Sequence, residues 1–145
     1  MQNALHLEVV TPEKIVVSED VEYVSAPSVE GDFGVLPSHV PLLAALKTGN
    51  IMYRKDGLNH YVFVSVGLAE VFNNKVTILA EVSEQAQDID KARAVAAKER
   101  ADKALSQKLE ARELAHTLAA MQRAFYRIKA AEQEAAASGI NKKVS

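Results

Sequence analysis

The sequence predicts a segregated α+β protein: an N-terminal antiparallel flattened β-sandwich or barrel, followed by a C-terminal two-helix antiparallel hairpin. Three observations predict it. About eight short runs of strand-like residues, punctuated by turn signals, fill roughly the first 85 positions. From Asp88 to Ser138 neither Gly nor Pro occurs. Between these regions, in Gln87-Asp88-Ile89-Asp90-Lys91-Ala92-Arg93-Ala94, Asp88 and Asp90 can accept hydrogen bonds from the first free N–H groups of a helix and suit its positive end. Ile89-Asp90 therefore reads as a helix start. The expected division is residues 1–87 for the sandwich, 88–138 for the hairpin and 139–145 for a flexible tail.

Taken in order, Leu5, Leu7 and Val9 alternate with His6 and Glu8, as in a strand with one buried face. Thr11-Pro12-Glu13 turns the chain and Ile15-Val16-Val17 begins a second strand. Val21, Tyr23 and Ser25 alternate against Glu22, Val24 and Ala26 in a third, which Pro27 closes. Gly31 to Leu42, with two Gly and two Pro, reads as loop. Ile51–Lys55 and Asn59–Val66 flank Asp56-Gly57, a strong hairpin signal. The run His60–Val66 is apolar on both faces, so it reads as a central strand, and Gly67 would allow a bulge before Ala69–Phe72. Asn73-Asn74 suits a two-residue turn with positive φ. Val76, Ile78, Ala80 and Val82 then line one face of the last strand.

The helical half follows another period. Leu114, Leu118, Met121, Phe125 and Ile128 are spaced 4, 3, 4 and 3, a coiled-coil-like seam. The preceding helix offers mainly Ala92, Ala96, Ala97, Ala101 and Ala104, which permit close approach of two helices. The turn expected near Ser106-Gln107-Lys108 carries no Gly or Pro, so a folded hairpin and one extended helix are both compatible with the chain. An alanine seam costs little to open, because it buries little area.

Composition narrows function. The 145 residues, 48% hydrophobic and 25% charged, suit a globular protein with a real core. Cysteine is absent, which removes thiol catalysis and the usual zinc-finger spacings. No apolar run is long enough to span a membrane, so no lipid insertion is expected. Residues 1–20 resemble neither a signal nor a transit peptide. The net charge of −2 conceals a split: 5 basic against 11 acidic residues in 1–87, and 12 against 8 in 88–145. The basic half suits an acidic partner. Nucleic acid is not expected, since Glu interleaves the positive charge and few aromatics accompany it.

No catalytic or metal-ligating set is legible. His6, His39, His60 and His116 make no metal-ligand spacing, and Ser38-His39 lacks an orienting carboxylate. No Walker or Rossmann glycine loop occurs. In a helix, however, Asp90, Arg93 and Arg100 fall on roughly one face, and a carboxylate with two guanidiniums there could bind a nucleotide. The plainer reading is a capped helix start with i,i+3 ion pairs.

The motifs Gly31-x-x-Gly34-x-Leu36-Pro37-x-His39-x-Pro41-Leu42, Lys75–Ala80 and Ile89-Asp90-x-x-Arg93-Ala94 together resemble the epsilon subunit of the bacterial F-type ATP synthase. The match runs from Leu7 to about Glu132. It implies a ten-stranded sandwich, a two-helix regulatory domain, and residence in the central stalk on the cytoplasmic side of the bacterial membrane. The implied partners are the gamma subunit and rotor-ring c subunits, with the alpha and beta subunits reached through the C-terminal helices. Gly31, Asp32, His39, Pro41 and Leu42 are the implied rotor-ring and gamma interface; Ser38 stands where many members have Gly. The helices are expected to extend and inhibit ATP hydrolysis, without any catalytic role or required cofactor. ATP is the expected regulatory ligand of the folded hairpin, through Glu84, Ile89, Asp90, Arg93, Ala94, Arg100, Arg123 and Arg127. A free-standing ATP sensor and a coiled-coil adaptor are the alternative readings.

Overall fold

A computed structural model describes the backbone of residues 4–144 and the side chains of residues 4–138. Eight strands come first: β1 (Leu5–Val10), β2 (Ile15–Val21), β3 (Tyr23–Ser28), β4 (Gly31–Val35), β5 (Leu42–Leu46), β6 (Gly49–Lys55), β7 (Leu58–Phe72) and β8 (Lys75–Gln85). Two helices follow, α1 (Lys91–Leu105) and α2 (Ala111–Val144). The expected tail begins inside the α2 span, and Ser145 lies outside the described residues.

The strands form one sheet in the order β2-β1-β8-β7-β5-β3-β4, with β6 bridging β3 and β7. Only β1–β8 among the described pairs runs parallel. The sheet folds on itself because β7 is long and bent: it pairs with β6 from Leu58 to Val64, then with β5 from Gly67 to Val71. The bend is at Val66, whose φ of 52° lies in the left-handed region. Gly67 serves the close approach of β8 rather than an unusual φ, since a Cβ there would sit 2.5 Å from the Leu79 carbonyl oxygen. Eight strands stand where the resemblance implied ten, because β7 and β8 run unbroken through the bend.

The core lies between the two layers. Leu5, Leu7, Val9, Val24, Val35, Ile51, Val62, Val64, Val71, Val76 and Ile78 are buried there. Burial, and then the Glu19 carboxylate, push the phenol of core residue Tyr53 up. On β7, Val62 and Val64 belong to this core, while fully buried Phe63 faces the other way, beneath α2. That accounts for the doubly apolar run in the sequence.

The turns follow their residues. Asp56 (φ 52°) with Gly57 (φ 76°), and Asn73 (φ 49°) with Asn74 (φ 60°), make the two tight hairpins expected. Three local expectations need correction. Gly31–Val35 is a strand paired with β3, so only residues 36–41 are loop. Pro27 continues β3 opposite Asp32, and its carbonyl accepts the Lys47 N–H. Leu42–Leu46 forms β5, which its unalternating Leu-Leu-Ala-Ala-Leu concealed.

The coiled-coil-like seam is also corrected. Leu114, Leu118 and Phe125 are exposed. The buried residues of the two helices are Ala94, Ala101, Ala124 and Ala130, while Met121 and Ile128 of the seam are half-buried, so the covered stripe is offset from the seam. One residue around a helix turns the facing side by about 100°.

Candidate functional site

After β8, a single 3-10 turn (Ala86–Asp88) swings the chain toward α1, with buried Ala86 as its pivot. Asp90 is the N-cap, its Oδ1 accepting the Arg93 backbone N–H at 3.1 Å. The carboxylate thus fixes the start of the helix that carries Arg93. α1 ends where the Ser106 hydroxyl donates to the Lys103 carbonyl at 2.6 Å. The chain then reverses through residues 106–110 into α2, at the weakly encoded turn.

The reversal opens a cleft of ≈ 510 Å³ between the helices and the sandwich. All eight residues singled out for the ligand line it: Glu84 from β8, Ile89, Asp90, Arg93, Ala94 and Arg100 from the first helical segment, and Arg123 and Arg127 from α2. Asp88, Ala97, Ala120 and Ala124 complete the lining. Small residues on both helices leave the space; a larger side chain at Ala97 or Ala120 would fill it.

The charges are arranged unequally. Arg127 Nε donates to Glu84 Oε1 at 2.7 Å, and its guanidinium carbon lies 4.6 Å from the Phe63 ring centroid. Arg93, Arg100 and Arg123 have no carboxylate oxygen within 4.0 Å among the described residues. Of the acidic side chains nearby, Asp102 pairs with Lys98 at 2.9 Å and Glu132 with Lys91 at 3.2 Å, Asp90 caps α1 and Glu84 holds Arg127, while Asp88 also lines the cleft. Three guanidiniums without acidic partners among the described residues line one cleft, and each offers a planar fork chemically suited to phosphate. Phe63 was missed as the support beneath Arg127. Its signal was the second apolar face of the β7 run.

The residues named for the rotor and gamma interface are divided. In the 36–41 loop His39 is half-buried and Pro41 exposed, and Leu42 is packed against the core at the start of β5. Ser38 has φ 69°, the conformation glycine would hold more easily, and its N–H donates to Asn74 Oδ1 at 2.6 Å. Gly31 and Asp32 sit at the far end of β4, on the order of 13 Å along the strand. Asp32 there lines a smaller cleft with Lys129 and Tyr126 of α2. Beside Leu42, the exposed side chains of Leu36, Val40, Leu43 and Phe72 make an apolar end to the sandwich.

Among the described residues, no three His, Asp or Glu side chains are grouped to hold a metal ion. No described helix is long and apolar enough to cross a membrane.

Comparison with known proteins matches the chain in two parts. The family model described as ATP synthase, Delta/Epsilon chain, beta-sandwich domain matches residues 4–86. The one described as ATP synthase, Delta/Epsilon chain, long alpha-helix domain matches residues 87–132. An ATP synthase epsilon chain of Nitratidesulfovibrio vulgaris (strain DP4) is 54% identical over 129 residues, covering 89% of this chain and 96% of that one. The epsilon chain of Syntrophobacter fumaroxidans is 47% identical over 133 residues, covering 92% and 99%. Among solved structures, a chain of the Euglena gracilis mitochondrial ATP synthase (OSCP/F1/c-ring) superposes with a TM-score of 0.73 at 22% identity, over 83% of this chain and 76% of that one.

Proposed function

The chain belongs to the ATP synthase delta/epsilon family, as an epsilon-type member, and on that premise we propose that it is a non-catalytic central-stalk subunit whose hairpin regulates hydrolysis under the control of ATP. In this reading the sandwich holds the gamma subunit and the rotor-ring c subunits. The apolar end around Leu36, Val40, Leu43 and Phe72 supports a protein partner there. The subunit is then peripheral, on the cytoplasmic side of the bacterial plasma membrane.

One observation carries the regulatory part. The three arginines without acidic partners among the described residues face one cleft, and it exists only while α2 folds back on α1. A polyphosphate bound there favours the folded hairpin by its difference in affinity between the two states. Without it, like charges repel and the alanine seam offers little resistance. The exposed stripe Leu114, Leu118 and Phe125 then has an apolar face ready for the alpha and beta subunits when the helices extend. Calorimetric titration of the isolated protein with ATP tests the ligand, comparing wild type with Arg93→Ala and Arg123→Ala. Binding heat in the wild type that is lost in both variants supports the reading. Equal heats in all three, or none in any, refute it.

A further inference from the structure

The nucleotide cleft is not the only place where α2 is held. Two helical turns beyond Arg127, Glu134 reaches down onto β7. Its Oε1 accepts the Tyr61 backbone N–H at 3.1 Å, and its Oε2 lies 3.3 Å from His60 Nδ1. The Glu134 side chain is only 15% exposed, although it belongs to a helix whose opposite face is solvated. Tyr61 is one residue beyond Val62–Gln85, the last pair of the β7–β8 ladder. The carboxylate therefore supplies the acceptor that β8 ceases to offer once it leaves the sheet. His60 in turn stacks on Tyr53 of β6, with centroids 5.2 Å apart.

From this arrangement we infer that Glu134 is a second latch, independent of nucleotide, that holds the C-terminal half of α2 on the sandwich. The inference rests on the mobile-hairpin reading above. It adds that the contacts fastening the folded state differ in kind: the arginine cleft answers to ligand, whereas the Glu134 carboxylate does not, nor does the Asn50 amide that donates to the Tyr126 carbonyl at 3.0 Å. Lifting α2 leaves the Tyr61 N–H and a charged carboxylate to find water, so the latch sets how often the empty hairpin opens. Because Arg127 and Glu134 are seven residues apart on one helix face, both must release for α2 to leave, and their contributions multiply in the opening equilibrium.

Amide hydrogen exchange on the full chain tests this, in wild type, Glu134→Ala and Glu134→Gln, each with and without ATP. Without nucleotide, Glu134→Ala should speed exchange across residues 126–133 about tenfold, the scale of one lost hydrogen bond to a charged group. Val62 and Val64 in the core should be unaffected. Glu134→Gln keeps an acceptor for Tyr61 and should fall between. ATP should slow exchange by the same factor in all three proteins. Unchanged exchange over 126–133 in Glu134→Ala, or equal acceleration in the sandwich core, overturns the latch. Faster exchange in Glu134→Ala with no ATP effect in any protein leaves the latch standing and refutes the nucleotide reading instead.

Discussion

Arg127 and Glu84, 43 residues apart in sequence, meet at 2.7 Å and tie α2 to the last strand of the sandwich. The same guanidinium lies over Phe63, so one side chain contacts the hairpin cleft, β8 and β7 together. Replacing Arg127 with Ala should weaken both ATP binding and docking of α2. The docking loss should be about 1 kcal/mol, since both partners are partly exposed and a cation–π contact adds little at such sites. Arg127→Lys should restore part of the docking but less of the binding, because an ammonium lacks the fork. Thermal melts and titration on the same samples separate the two effects.

Asp90→Ala should remove the cap of α1 and cost about 1 kcal/mol of helix stability, read by circular dichroism at low denaturant. Asp90→Asn should recover most of that, since an amide oxygen can also accept the Arg93 N–H. If ATP affinity falls in Asp90→Ala but not in Asp90→Asn, the residue acts by holding the helix start rather than by touching the ligand.

Phe63→Ala should destabilise the protein by about 3–5 kcal/mol, the usual cost of emptying a fully buried aromatic site. Its signature is selectivity: α2 should detach, by proteolysis within residues 111–138, at denaturant concentrations where the sandwich persists. Simultaneous loss of both parts would show that Phe63 belongs to the sandwich core instead.

Two groups set opposite pH responses. Glu8 is held below the usual carboxylate range, first by its bond to Lys75 at 3.0 Å and by that residue's charge. A carboxyl lowered in the folded state stabilises above its unfolded value, and the gain is lost as pH falls through the folded one. Stability should therefore drop on acidification, with a shallower slope in Lys75→Ala. The Tyr53 phenol is pushed up by burial, so its contribution is present below about pH 10 and is lost as pH rises further. Phenolate absorbance in alkaline titrations should show a late component that Tyr53→Phe removes.

The parts of the fold legible in the sequence were those specified locally. Asp56-Gly57 and Asn73-Asn74 announce hairpins by residue chemistry alone, and Asp90 announces a helix by the same kind of signal. β5 was hidden because both its faces are apolar or small, giving no period to read. The helix seam misled for a different reason: spacing reveals which large side chains share a face, but not whether that face is covered. Here small Ala94, Ala101, Ala124 and Ala130 are buried while Leu114 and Phe125 face outward. The arginines of the cleft were legible as a spacing on each helix. That Asp102 and Glu132 would turn to lysines, and that Arg93, Arg100 and Arg123 would have no acidic partner among the described residues, depended on three-dimensional packing.

The length of β7 bears on mechanics. Its 15 residues, about 50 Å of chain, run without a loop from the hairpin-contacting stretch at His60 and Phe63 to the apolar end at Phe72. Along that length it is flanked by β6, then β5, and by β8. A pull directed along such a strand loads its cross-strand bonds in shear, so many must yield together, whereas a peeling force takes them singly. Under the stalk role proposed above, β7 would therefore serve as a tie rod: stiff along the stretch on either side of Val66, with the kink there as the point where bending concentrates.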